Sequence, residues 1–252
     1  MRRFYQESWQ GIPFTAFSHA SFFRLAEPRF YAVFYEELFR RYKSWDELPA
    51  AWRAVKRYNA CWLVDRLTRI PQNKDQPLCV LSIGSGVGYM EHILLEKIPN
   101  LEVHVNEPST VSMKWLRGHI PAERIYIGLP PACLPPDIKY DMIYLSAVDY
   151  GIPTRELVHL LRELRAQLAE GGEIICISAS LLEEDTFIGA FVNAIKIVIR
   201  AGLHYLGIRR QQFWGWRRTR KEYNQLFKQA NFTDSTDGYL DDADQTYWIG
   251  GR

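Results

Sequence analysis

Val80-Leu-Ser-Ile-Gly-Ser-Gly-Val-Gly-Tyr-Met-Glu91, followed by Val103-His-Val-Asn-Glu107, is the stretch that decides the fold. The run Leu78 to Ile83 is short, apolar and partly β-branched, which predicts a strand covered on both faces. Gly84, Gly86 and Gly88 then allow a tight turn and a close backbone approach that a Cβ would block. The helix expected from about Gly88 aims its free N–H groups and positive dipole end back at that turn. A second strand ends on Glu107, whose carboxylate can accept hydrogen bonds from two vicinal hydroxyls. Strand, glycine turn, helix and acid-tipped strand together predict a nucleoside pocket.

Working outward, strands are expected near 78–83, 101–106, 124–127, 140–145 and 173–178, with helices near 88–98, 108–118 and 154–169. Leu157, Leu161, Leu164 and Leu168 share one face of the last of these, and Gly171-Gly172 ends it. Such alternation predicts a parallel sheet with helices on both sides. Thr219-Arg-Lys-Glu222 is a capping box that opens a helix to about Ala230. Two closing strands, near 232–238 and 245–250, are expected to pair antiparallel. Before the core, residues 1–75 predict helices over 28–42 and 49–70, and Pro71 to Pro77 reads as a polar linker.

The spacing Gly84-x-Gly86-x-Gly88 departs from the dinucleotide fingerprint Gly-x-Gly-x-x-Gly, because Tyr89 occupies the third position. It resembles the first motif of class I S-adenosylmethionine-dependent methyltransferases. Leu101 to Ser109, Tyr140-Asp-Met-Ile-Tyr-Leu145, Glu170-Gly-Gly-Glu-Ile-Ile-Cys-Ile-Ser178, Lys221–Phe232 and Tyr247–Gly250 are similar to later elements of that family, in its order. The resemblance spans roughly 76–183 and 216–252. It implies a Rossmann-like α/β fold: a seven-stranded, mostly parallel sheet with an antiparallel last strand, helices on both faces and an N-terminal helical cap. It further implies a cap over 1–75 and a core over 76–252, interrupted by a helical lid insertion at about 184–216.

The implied cofactor is S-adenosylmethionine, leaving S-adenosylhomocysteine, with Ser82, Gly84, Ser85, Gly86, Gly88, Glu107, Pro108 and Ser146 around it. The family's usual acid two residues before the first glycine is replaced by Ser82, and Ile127-Gly-Leu-Pro130 offers no acid near the adenine. In relatives that methylate base amines, Asn/Asp-Pro-Pro-Tyr follows the fourth strand. Here Ser146-Ala-Val-Asp-Tyr150 stands there, which argues against that chemistry. Asp149 and Tyr150 are then the expected catalytic pair facing the methyl acceptor, with Asp149 as base. Tyr5, Trp9, Trp214, Trp216 and Arg217 are expected to shape the acceptor site or face the sulfonium. No metal-ligand spacing occurs; Cys61, Cys79, Cys133 and Cys176 are scattered and read as packing thiols of a reducing, cytoplasmic setting.

Net charge is +2, too small to favour a nucleic-acid partner on global grounds. Thr186 to Ile208 is largely apolar, yet Asn193, Lys196, Arg200 and His204 form one polar stripe. An amphipathic helix explains this better than a membrane span. With Arg209 to Arg218 it reads as a lid over the acceptor site, as a patch touching a membrane peripherally, or as a nucleic-acid patch, and the amphipathic insertion could equally pair with its copy in a homodimer. The expected activity is methyl transfer to oxygen or nitrogen of a small-molecule, glycan or lipid-linked acceptor. Two alternatives stay open: transfer of the cofactor's aminocarboxypropyl arm, and a non-catalytic cofactor-binding scaffold.

Overall fold

A computed structural model describes residues 2–6, 8–9, 12–13, 28–70, 76–178, 180–182, 212–240 and 246–252, with scattered positions between 192 and 206. Three short strands open it: β1 (Arg2–Gln6), β2 (Ser8–Trp9) and β3 (Ile12–Pro13). Helices α1 (Pro28–Arg41) and α2 (Ala50–Leu67) follow. The core then runs β4 (Leu78–Ile83), α3 (Tyr89–Lys97), β5 (Leu101–Glu107), β6 (Ile125–Ile127), β7 (Tyr140–Ser146), α4 (Thr154–Arg165) and β8 (Leu168–Ser178). It closes with β9 (Gln212–Arg217), α5 (Arg220–Gln229), β10 (Ser235–Tyr239) and β11 (Tyr247–Gly251).

Seven strands form one sheet in the order β10-β11-β8-β7-β4-β5-β6. The pairs β6–β5, β5–β4, β4–β7 and β7–β8 are parallel, whereas β11 is antiparallel to both β8 and β10. The expected α/β class and the reversed last strand are therefore present. The chain leaves β4 toward β5 and β6, then crosses back to lay β7 on the other side of β4. In open α/β sheets a ligand crevice forms at such a reversal, beyond the carboxyl ends of the strands.

Strand parity sorts the side chains into two layers. Val80, Met142, Tyr144, Ile175 and Ile177 pack with α1, α2 and α3 in one cluster, which includes Phe34, Leu38, Leu63, Leu67, Ile93 and Leu94. Leu81, Ile83, Ile143, Leu145, Ile174 and Cys176 face the opposite layer of α4 and α5. The segment expected as an N-terminal cap thus shares a single core with the sheet. Trp45 strengthens the join by donating its indole N–H to the Val87 carbonyl at 2.8 Å, inside the glycine turn.

Three elements differ from the sequence reading. Residues 108–118 form two 3-10 turns, Ser112–Lys114 and Leu116–Gly118, in place of a helix. Ser109 accepts from the Val111 N–H through its hydroxyl, and Ser112 donates to the Ser109 carbonyl at 2.7 Å. Such local bonds compete with the α-helical pattern. The Gly171-Gly172 pair sits within β8, beside a bulge opposite Tyr140/Met142, and α4 has already ended at Arg165. Residues 212–217, expected as part of a lid, are a strand paired antiparallel with β1. Phe213, Trp214 and Trp216 have the aromatic character that suits a strand. Most of 184–211 lies outside the described residues, so the amphipathic stripe is not addressed there. Among the described residues no helix is long and apolar enough to cross a membrane.

Candidate active site

At the β4/β7 reversal lies a cavity of about 800 Å³. Its floor is the glycine turn. Gly84 and Ser85 both donate backbone N–H groups to the Asn106 carbonyl of β5, at 2.8 and 3.1 Å. Gly84, Gly86 and Gly88 all have positive φ, at 67°, 62° and 74°. Their roles nevertheless differ. A Cβ on Gly88 would stand 2.1 Å from Leu116, and one on Gly84 would stand 2.5 Å from Val148. Gly88 is not among the cavity residues, so it serves the packing of α3 rather than ligand approach. Gly86 is the open one: its nearest neighbour would be the Tyr35 hydroxyl, at 3.1 Å.

Glu107 meets Gly86 directly, accepting from its N–H at 2.9 Å through Oε2. Burial pushes its carboxyl up to about 7, against the lowering influence of the Gly86 and Ser109 N–H groups. Ser82, Gly84, Ser85, Gly86, Glu107, Pro108 and Ser146 all line this cavity, so it gathers every expected cofactor residue except Gly88. The Ser85 hydroxyl oxygen and the Asn106 side-chain carbonyl are buried there without hydrogen-bond partners among the described residues. A glycine floor, an acid at the second strand's tip and unsatisfied polar atoms fit a nucleoside bearing a polar tail.

The expected catalytic pair divides. Tyr150 lines the cavity; Asp149 does not. The Asp149 side chain is fully buried, accepts from the Ser178 hydroxyl at 2.9 Å, and accepts from the Tyr223 hydroxyl as well. Arg218, also fully buried, donates to the Asp149 and Ile152 carbonyls at 2.7 and 2.5 Å. Burial raises the Asp149 pKa, while Tyr223, Arg218 and Ser178 oppose the rise. This carboxylate anchors the turn between β7 and α4 and does not line the cavity, while its Oδ1 meets no hydrogen-bond partner among the described residues. Arg217 lines the cavity, whereas Trp216 is buried outside it. The side chains of Tyr5, Trp9 and Trp214 lie outside the described residues.

Several cavity residues carried no signal in the sequence. Lys56 and Asn59 come from α2, Tyr31, Phe34 and Tyr35 from α1, and Glu91 from α3. Each sits at ordinary helical spacing among other polar or aromatic residues, so only the packing of α1 and α2 against the sheet singles them out. Elsewhere, Cys79, Glu102 and His104 approach one another closely enough to hold a cation. Both His104 ring nitrogens are engaged, by Tyr126 and Glu102, and the Arg124 guanidinium stands 3.0 Å from Glu102. Arg124 thus already opposes the Glu102 charge, and none of the three residues lines the cavity.

Comparison with known proteins decides the family. Residues 51–236 match the model of the family described as "Methyltransferase domain". The chain belongs to that family. A curated relative, the ribosomal RNA small subunit methyltransferase A of Methylobacillus flagellatus, is 30% identical over 122 residues, covering 43% of this chain and 44% of that protein. The chain therefore spans less than half the length of this relative. Among solved structures, a candidate O-methyltransferase of Nostoc punctiforme superposes with a TM-score of 0.58 at 18% identity, over 88% of this chain and 59% of that one. Human N-acetylserotonin methyltransferase in complex with SAM superposes with a TM-score of 0.52 at 16% identity, over 96% of this chain and 60% of that one. Both likenesses bear on the fold. The family and the cradle agree on S-adenosylmethionine as the cofactor.

Proposed function

We propose that this methyltransferase transfers the methyl group of S-adenosylmethionine to an oxygen or nitrogen of a small molecule. The observation that carries the reading is one cavity lined by the glycine turn and Glu107 together with Tyr31, Phe34, Trp52, Tyr150, Glu156, His159 and Arg217. The glycine turn and Glu107 suit the nucleoside, and the same cavity offers aromatic side chains and titratable groups, a combination suited to a compact organic acceptor. When bound, the cofactor supplies an electrophilic methyl carbon on a sulfonium. Methyl transfer is an in-line displacement, so holding both reactants aligned in one cavity supplies much of the rate. Glu107 and the turn would fix the nucleoside, and the walls from α1 and α2 would align the acceptor and exclude water. A hydroxyl acceptor needs a proton acceptor as well. With Asp149 enclosed elsewhere, that role passes to His159 or Glu156 of α4.

The curated relative acts, by its name, on ribosomal RNA, but Ser146 stands where base-amine methylation uses Asn or Asp, and the net charge is only +2. Both features favour a small acceptor. The test is to incubate the protein with S-adenosylmethionine and a panel of phenols, aliphatic hydroxy acids and amines, then separate the nucleoside products. Acceptor-dependent S-adenosylhomocysteine supports the reading. Methylthioadenosine in its place would assign aminocarboxypropyl transfer, and tight binding without either product across the panel would favour a non-catalytic role.

A further inference from the structure

Three polar side chains interrupt the apolar face that the sheet turns toward α2 and α3. Ser82 of β4 and Tyr144 and Ser146 of β7 stand on the same parity as Val80 and Met142. Opposite them, α3 supplies Glu91 and α2 supplies Lys56 and Asn59, three positions apart and hence on one helix face. Glu91 is 1% exposed. Its Oε1 accepts from the Ser82 and Tyr144 hydroxyls, each at 2.5 Å, while Oε2 meets no hydrogen-bond partner among the described residues. Half-buried Lys56 donates to the Ser146 hydroxyl at 3.0 Å. The side-chain oxygen of Asn59 is buried and likewise without a partner among the described residues. Glu91, Lys56 and Asn59 all line the cavity that holds the glycine turn.

A buried carboxylate oxygen without a donor is costly, and Lys56 is the cation whose charge Glu91 senses. Burial raises the Glu91 carboxyl and lowers the Lys56 ammonium to about 8. Each is the charged group the other senses, and the two are opposite in sign on the wall of one cavity. The complement of such a pair is a zwitterion. The cofactor ends in one, an α-amino acid with an ammonium and a carboxylate.

We propose that Glu91 and Lys56 bind the amino-acid tail of the cofactor, Glu91 taking its ammonium and Lys56 its carboxylate. Asn59 Oδ1 supplies a second acceptor for the ammonium, and the Ser85 hydroxyl a second donor for the carboxylate. This assignment rests on the cofactor reading above. It gives α2, outside the glycine motif, a direct part in cofactor binding. It also accounts for Ser82: the negative charge absent from that position arrives from α3, bonded to the Ser82 hydroxyl.

The experiment compares two ligands by calorimetry at pH 7: S-adenosylhomocysteine, which has the tail, and methylthioadenosine, which lacks it. Glu91→Gln keeps an oxygen for Ser82 and Tyr144 but removes the charge, and Lys56→Met removes the cation. Each is expected to weaken S-adenosylhomocysteine about tenfold to a hundredfold while methylthioadenosine changes less than twofold. Glu107→Ala should weaken both ligands. Equal loss for both ligands in Glu91→Gln and Lys56→Met, or no loss for either, would overturn the proposal. Should Glu91→Gln fail to fold, Lys56→Met with both ligands decides it. A wild-type protein that binds neither ligand would remove the cofactor reading itself, and this proposal with it.

Discussion

Glu107 spends its folded life at a disadvantage without a ligand. Burial lifts its carboxyl from 4.5 to about 7, so the folded chain holds that proton more tightly than the unfolded chain does. Stability from this group is complete below the unfolded value and is lost as pH rises through the folded one, a fall of about 3 kcal/mol. Denaturant unfolding of the ligand-free protein across pH 4–8 should show that decline, and Glu107→Gln should flatten it. The three glycines make a second comparison at this scale. Gly88→Ala drives a methyl into Leu116 at a positive φ, with an expected loss of about 2–4 kcal/mol in urea titrations. Gly86→Ala meets only the Tyr35 hydroxyl, so folding should suffer less, by about 1–2 kcal/mol, while cofactor affinity falls. Residues of this kind were legible in the sequence because their signal is local: three glycines and an acid at fixed spacing. Glu91 and Lys56 were not, since nothing in a helix repeat says which polar residue will face a sheet's polar stripe.

At the scale of elements, Asp149 sits apart from the cavity that its own loop borders. From the sequence it is an acid just past a strand end, where ligands gather, and the loop does border the cavity through Ala147, Val148 and Tyr150. The structure turns the acid itself into the anchor of that loop, between Ser178 of β8 and Tyr223 of α5. Tyr223→Phe should therefore cost about 1–3 kcal/mol of stability, read by thermal unfolding, with cofactor affinity unchanged within twofold. Strand β9 belongs to the same story. A Cβ on Gly215 would fall 2.1 Å from the Tyr150 carbonyl, so the strand lies flush against this loop. Its pairing with β1 joins positions more than 200 residues apart, a contact no local pattern encodes. The capping box at Thr219, by contrast, is a four-residue signal, and it is present with Glu222 in both of its bonds.

At the scale of the molecule, parity and topology build the site together. Alternation sends one side of β4, β7 and β8 toward α4 and α5 as a dry layer and the other toward α1 and α2, whose residues also wall the cavity. The order of strands and the antiparallel close were readable, because buried runs and helix periods recur along 78–252. The fusion of the first helices with the core was not, since it depends on which faces meet. A ligand that joins glycine turn, Glu107 and α2 ties these parts and should stabilise the whole. At a concentration a hundred times its dissociation constant, S-adenosylhomocysteine is expected to add about 2.7 kcal/mol to unfolding, as a cooperative rise in Tm.

A crystal structure of the protein with S-adenosylhomocysteine tests the central claim most directly. The account predicts the ribose hydroxyls on the Glu107 carboxylate, the nucleoside over Gly84 and Gly86, and the thioether pointing toward Tyr150. A nucleoside bound elsewhere, with side chains filling the crevice between the glycine turn and Glu107, would contradict it.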